Sequence, residues 1–226
     1  MSMDKDANEH TEKIQRIDKE KDFKSLHFYK DPKVWDSLRA SDKENLGRLL
    51  LEWGEILLEE GDSQAVEVLE RSLLLLPPHS ESYKRLARVW FDYGKKHHNF
   101  KSLSRALELL EGERELSLPD PSLLLLWSQI KLYMGLMRND EEDLQVAIEG
   151  FDTVLQRIAE LEKKDCFSAY WDLGRAWSAL GKLSGEAFDF STAVKQFECA
   201  IEEGCEEARI WNDLANALVD LACLVG

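Results

Sequence analysis

The stretch Tyr170–Ala200, YWDLGRAWSALGKLSGEAFDFSTAVKQFECA, decides the fold. Tyr170, Leu173, Trp177 and Leu180 recur at three- and four-residue steps, so they share one helical face. Gly174 sits inside that face, where a missing side chain lets another helix come close. After Gly181 the chain turns polar, and Ala193, Phe197 and Ala200 then form a second helical stripe. Two amphipathic helices with small residues where they meet make an α-hairpin. One hairpin cannot bury both of its faces, so a repeated unit is expected.

The rest of the chain supplies it. Aligned on a glycine read as ending the first helix, Gly61, Gly94, Gly135 and Gly181 take equivalent places. Eight residues before each stands Trp53, Leu86, Trp127 or Leu173, followed directly by Gly54, Ala87, Ser128 or Gly174. The second helices carry Ala65, Ala106, Ala147 and Ala193, with Leu69, Leu110, Phe151 and Phe197 four residues later. A fifth first helix follows, with Trp211, Leu214, Ala215 and Leu218 in the same order.

This order resembles the tetratricopeptide repeat from about Leu46 to Val225, and its best copy is Tyr170, Leu173, Gly174, Trp177, Ala193, Phe197 and Ala200. The resemblance implies an all-α fold, a right-handed superhelical array of antiparallel helix pairs. The departure is length: the small first-helix residues are spaced by 33, 41, 46 and 41, against a family period near 34. Such periods also suit HEAT or armadillo repeats, although the small-residue positions favour the tetratricopeptide reading. The expected hairpins are 46–79, 80–119, 120–164 and 166–204, with a terminal helix at 206–225, so that residues 41–226 form the repeat domain.

Composition agrees with a helical array. The chain is 44% hydrophobic, and Leu, Ala, Glu and Lys outweigh the β-branched residues. Cys166, Cys199, Cys205 and Cys223 show no metal-ligand spacing and read as reduced thiols of a cytoplasmic protein. No apolar run is long enough to span a bilayer, so no membrane insertion is expected. The net charge of −15 argues against nucleic acid, which demands a basic stripe. No Gly-rich phosphate loop, nucleophile elbow or zinc-binding helix motif occurs, so the expectation is a protein that is not an enzyme and uses no cofactor.

Residues 1–40 read as a charged segment, partly disordered or a capping helix, with Ile14 and Ile17 as its apolar anchors. Phe23, Leu26, Phe28, Tyr29, Val34, Trp35 and Leu38 are expected to pack on the first repeat. Ser41 and Glu44 have capping-box spacing. Gly61 and the Pro77–Pro78 pair read as stops, and Asp120–Pro121 as an N-cap with proline in the first turn. His97 and His98 have no acidic or cysteine companion at ligand spacing and read as an exposed turn.

The tetratricopeptide resemblance implies a peptide groove on the concave side, lined by the first helices. Its expected lining is Arg48, Leu51, Glu55 and Leu58, then Glu81, Lys84, Arg88 and Phe91. Ser122, Leu125, Gln129 and Leu132 follow, then Ser168, Trp171, Arg175 and Ser178. The last helix adds Arg209, Asn212, Asn216 and Val219. With five basic and two acidic residues, this face is expected to be apolar and mildly basic. The carboxylate clamp of chaperone-binding tetratricopeptide domains is absent, since Leu51, Glu55, Arg85, Ser122 and Leu126 stand at its places.

The expected function is a protein-interaction module that binds a peptide segment in this groove. Alternatives are a self-associating structural repeat protein, or an acidic chaperone holding a secreted substrate. The terminal helix bears on the second of these three. Trp211, Leu214, Leu218, Leu221, Ala222 and Val225 are expected to cover the fourth repeat, leaving Ile210, Ala217, Val219 and Leu224 for other faces. A helix apolar over so much of its circumference is normally buried, so a homodimer through this helix is one expected partner arrangement.

Overall fold

The computed structural model describes residues 2–30, 32–62, 64–77, 81–114 and 120–225, and among them it is helical with no strand. In order, the helices are α1 (Ser2–Glu20), α2 (Pro32–Trp35), α3 (Ala40–Glu60), α4 (Ala65–Leu75), α5 (Glu81–His97) and α6 (Phe100–Arg114). Then come α7 (Pro121–Arg138), α8 (Glu141–Leu155), α9 (Lys163–Ser184), α10 (Ala187–Glu202) and α11 (Ala208–Val225). Short 3-10 segments occupy Phe23–Lys30 and Ile158–Glu160. The most extensive helix pairs are α3 on α4, α7 on α8 and α9 on α10, and α10 on α11, α8 on α9 and α6 on α7 also pack. The expected stop at Pro78 and the end of the second hairpin at 115–119 lie outside the described residues.

The hairpin turns follow one rule, and it corrects the sequence alignment. Gly94, Gly135 and Gly181 do not end their helices; α5, α7 and α9 continue three residues past them. The chain reverses four residues later, at His98, Asn139 and Gly185, which hold left-handed φ values of 49°, 51° and 74°. Gly61, at φ 74°, is their equivalent in the first hairpin. Left-handed residues therefore recur 37, 41 and 46 residues apart, and the first interval is longer than the 33 expected. The amide after three of these residues bonds back to a carbonyl in the preceding helix: Asp62 to Leu57, Asn99 to Gly94 and Asp140 to Gly135, a closure typical of left-handed helix caps.

The internal glycines have a different role. A Cβ on Gly94 or Gly135 would stand 3.1 Å from the backbone nitrogen of Leu103 or Leu144, at the start of the following helix. A side chain at either place would push the returning helix back by a few tenths of an ångström. Asp120 caps α7 by accepting from the Ser122 amide at 2.9 Å, with Pro121 in the first turn. Asp140 caps α8 by accepting from the Glu142 and Asp143 amides. Ser41 and Glu44 make no such box: α3 starts at Ala40, behind Arg39, without a side-chain cap.

Contacts divide the chain within α5 into two compact units, residues 1–89 and 90–226. In the first, Ile14 and Ile17 of α1 join Leu26, Tyr29, Trp35 and Leu38 in one core with Leu46, Leu49, Leu50 and Trp53 of α3. Asp42, though buried, accepts from Thr11 at 2.7 Å, tying α3 to α1. Trp35 donates its indole N–H to the Tyr29 carbonyl at 2.8 Å. Phe28's side chain lies outside the described set. Gly54 faces Leu69: a Cβ there would stand 2.5 Å from a Leu69 methyl.

In the second unit Phe151 and Phe197 are fully buried. Gly174 and Gly181 of α9 are the places where Phe197 and Phe190 of α10 come closest. Trp177 is only half-buried, in edge contact with the exposed Phe188 ring at 6.1 Å. The terminal helix α11 corrects the expectation for its faces. Ile210 and Ala217 are the residues buried at 0%, whereas Trp211, Leu218 and Val225 are exposed. Leu214, as expected, packs with Ile210 and Ala217 on the α10 core, so the docked face is turned by roughly 60° about the helix axis from the expected one.

Candidate ligand-binding cleft

A cleft of about 520 Å³ opens in the second unit between the end of α5, α7, α9 and the start of α11. Except for α6, α8 and α10, the second helices, every helix of this unit contributes to it. Its floor is a hydrogen-bonded network. Gln129 of α7 donates from Nε2 to the Asp172 carboxylate at 2.8 Å and to Ser168 Oγ at 3.1 Å. Arg175, one turn on from Asp172, donates to its other carboxylate oxygen at 2.9 Å and to the Tyr133 hydroxyl at 2.9 Å. Asp172 and Gln129 are buried, so this network is shielded and its members hold each other in place.

The wall on the α5 side is aromatic and cationic. Phe91 packs edge-on against Tyr133 at 5.6 Å. Lys95 Nζ lies 5.0 Å from the centre of the Tyr133 ring, and the Arg175 guanidinium lies 4.9 Å from it. Two cations near one ring are each attracted by its quadrupole, while the Asp172 carboxylate offsets their mutual repulsion. Burial by itself would lower the Arg175 pKa, but Asp172 and Tyr133 outweigh it and raise the pKa above its ordinary value. On the α11 side, Trp171 donates its indole N–H to Asp213 at 2.8 Å. Glu207, Arg209 and Asn212 complete the rim.

Of the residues expected to line a groove, Gln129, Ser168, Trp171, Arg175, Arg209 and Asn212 do line this cleft. Asn216 lines an adjoining depression between α7, α9 and α11, which shares Arg175 and Asp213 with the cleft. Others are corrected. Leu125, Leu132 and Phe91 are buried at 1%, 0% and 2%, so they present no surface. Leu51, in the first unit, is buried at 0%. Leu58 packs against the first unit's core, and Arg48 is taken up by ion pairs to Asp18 at 2.6 Å and Glu52 at 3.2 Å. Lys84 and Arg88 are half-buried in the first unit.

The character of the lining is corrected too. Lys95, Arg175 and Arg209 are matched by Asp172, Asp213 and Glu207, so the cleft is polar and balanced rather than apolar and basic. Tyr133 and Lys95 were missed, although Gln129 and Phe91 each point to them four residues on, along the same helical face. Asp172 sits in sequence beside the packing residue Leu173 and gives no signal of its role. His97 and His98 lie at an exposed turn. Among the described residues no group of three or more His, Cys, Asp or Glu is placed to hold a metal, and no helix is long and apolar enough to cross a membrane. Set against known proteins, the chain matches no family model and no curated protein.

Proposed function

We propose that this chain is a non-enzymatic protein-interaction module of tetratricopeptide-like hairpins, and that the cleft of its second unit binds a peptide segment. The observation that carries the reading is the composition of the cleft. First helices of successive hairpins place a preformed row of donors, acceptors and ring faces along one channel, from Lys95 through Gln129, Tyr133 and Arg175 to Asn212. Buried, mutually bonded polar groups keep the channel open without ligand. Asn212 and Arg209 on the rim are exposed and suit a peptide backbone and an acidic side chain respectively. The stacking of α7 against α8 and α9, and of α9 against α10, supports the solenoid part of the proposal.

The test is selection of ligands from a random-peptide display library on the intact chain, followed by titration of the best binder. Lys95→Glu and Arg209→Glu are expected to weaken it about tenfold or more, as central contacts do, with unchanged circular dichroism. His98→Glu, at the exposed turn, should leave affinity within about twofold. Equal losses at the cleft and the turn, or binders that ignore all three changes, would refute the assignment of the cleft.

A further inference from the structure

Helix α11 presents an apolar face that no other helix covers among the described residues. Trp211, Leu218 and Val225 stand seven residues apart and are 54%, 47% and 70% exposed. Ala215 and Ala222 lie between them and are also exposed. At 3.6 residues per turn these five share an arc of roughly 80°. The face is distinct from the two that α11 already uses. Ile210 and Ala217 are buried towards α10, and Asn212 and Asn216 belong to the cleft side. In a chain that is 32% charged, the five-residue stripe and its neighbour Val219 carry no charge. Its partner is therefore recognised by apolar shape.

The contact between α9 and α10 shows which shape. In the repeat, Trp211, Ala215, Leu218 and Ala222 occupy the places of Tyr170, Gly174, Trp177 and Gly181. On α9 it is Gly174 and Gly181, seven apart, that receive Phe197 and Phe190, also seven apart, from the antiparallel α10. The rule is two small residues on one helix against two large ones on a helix running the other way. α11 carries both halves of that rule on one face: Ala215 and Ala222 are the small pair, Trp211 and Leu218 the large pair.

We propose that α11 pairs antiparallel with α11 of a second copy of this chain, across a two-fold axis. Leu218 of each copy seats on Ala215 of the other, and Trp211 seats on Ala222, so every contact occurs twice. With Trp211, Leu218 and Val225 54%, 47% and 70% exposed, the face offers roughly 500 Å² per copy, and burying all of it would bring the pair to about 1,000 Å², the lower bound for a specific interface. An interface at that lower bound belongs with weak, transient associations, so the dimer is expected to be reversible. Each copy carries a net charge of −15, so the dimer strengthens as salt screens the repulsion. The cleft lies on another side of α11 and stays open in the dimer, which makes this inference independent of the peptide reading.

Sedimentation equilibrium of the full chain from about 1 μM to about 1 mM tests the proposal. The wild type should pass from monomer to dimer over that range, and more readily at high salt. Leu218→Glu should raise the dimer Kd about tenfold or more, with helicity unchanged and Tm unchanged at dilutions where the wild type is monomeric. The register is tested by oxidation. Two copies of Leu218→Cys should form a disulfide, since the proposed register offsets the pair by about 4.5 Å along the axis. The native Cys223 pair, offset by about 20 Å, should stay reduced. A wild type that remains monomeric, a dimer indifferent to Leu218→Glu, or cross-linking through Cys223 in place of position 218 would each overturn the proposal.

Discussion

Replacing Gly174 by alanine sets two physical effects against each other, and the structure decides which wins. Alanine is favoured over glycine inside a helix by about 1 kcal/mol, so propensity alone makes Gly174→Ala stabilising. The added methyl, however, would stand 2.7 Å from two carbons of the Phe197 ring and 3.1 Å from a third. Carbon atoms settle at about 3.5–4.0 Å, so the ring or the helix has to retreat by about 1 Å. Phe197 is buried at 0%, and a close-packed interior gives it no space to move into. Overpacking of this kind costs about 1–3 kcal/mol, which leaves a net loss of order 1 kcal/mol once propensity is subtracted. Urea unfolding followed by circular dichroism measures it. A cycle with Phe197→Leu isolates the contact, and the double variant should recover at least about 0.5 kcal/mol relative to the sum of the singles. A rise in the unfolding midpoint for Gly174→Ala, of the size propensity supplies, would show that the two helices are not in contact there.

Asp172→Ala should destabilise the chain by roughly 1–3 kcal/mol, because Gln129 and Arg175 both lose an acceptor in a shielded place; urea titration checks it, and a change under a few tenths of a kcal/mol would contradict the network. Tyr29, buried at 0%, has its phenol pushed up to about 12, first by burial and then by the charges of Asp42 and Glu9. The folded chain thus holds this proton more tightly than the unfolded one. Its contribution is complete below about pH 10 and is lost as the pH rises from about 10 to about 12. Thermal melts of wild type and Tyr29→Phe across that window should diverge, with the wild type falling more steeply; parallel curves would contradict the burial of this phenol.

The hairpins were legible because glycine and alanine on the apolar faces of α3 to α10 mark close helix approach. Gly174 against Phe197 is the clearest case. What the same pattern did not reveal is where each helix stops. Gly94, Gly135 and Gly181 looked like terminators, but they are the residues that admit the returning helix, and His98 and Asn139 reverse the chain without being glycine. The cleft was half legible for a related reason. A first helix has two apolar faces, one towards its own second helix and one towards the preceding hairpin, and the sequence shows both without saying which is occupied. Leu125 and Leu132 were placed on an open surface for that reason and are core. The docked face of α11 differs from the expected one for the same reason: Ile210 and Ala217 join Leu214 on the preceding hairpin, so the Trp211 side stays open. Asp172 and Tyr133 escaped notice because a lone carboxylate or phenol on a helix does not announce its hydrogen-bond partner.

The pairing of internal glycines with nearby large residues has a consequence for how the chain acquires its structure. Gly94 meets Leu103, Gly135 meets Leu144 and Gly181 meets Phe190 across only nine residues of chain. Contacts between residues so near in sequence form early, because little chain entropy is lost in closing them. During synthesis, each first helix therefore meets its own second helix soon after that segment emerges, before any later second helix exists. In the first hairpin the places of large and small are differently spaced, with Gly54 meeting Leu69 across fifteen residues. A second helix exchanged between the first hairpin and a later one would therefore bring methyl against methyl or leave a gap, while among the three later hairpins, which share one spacing, the short closure selects the partner.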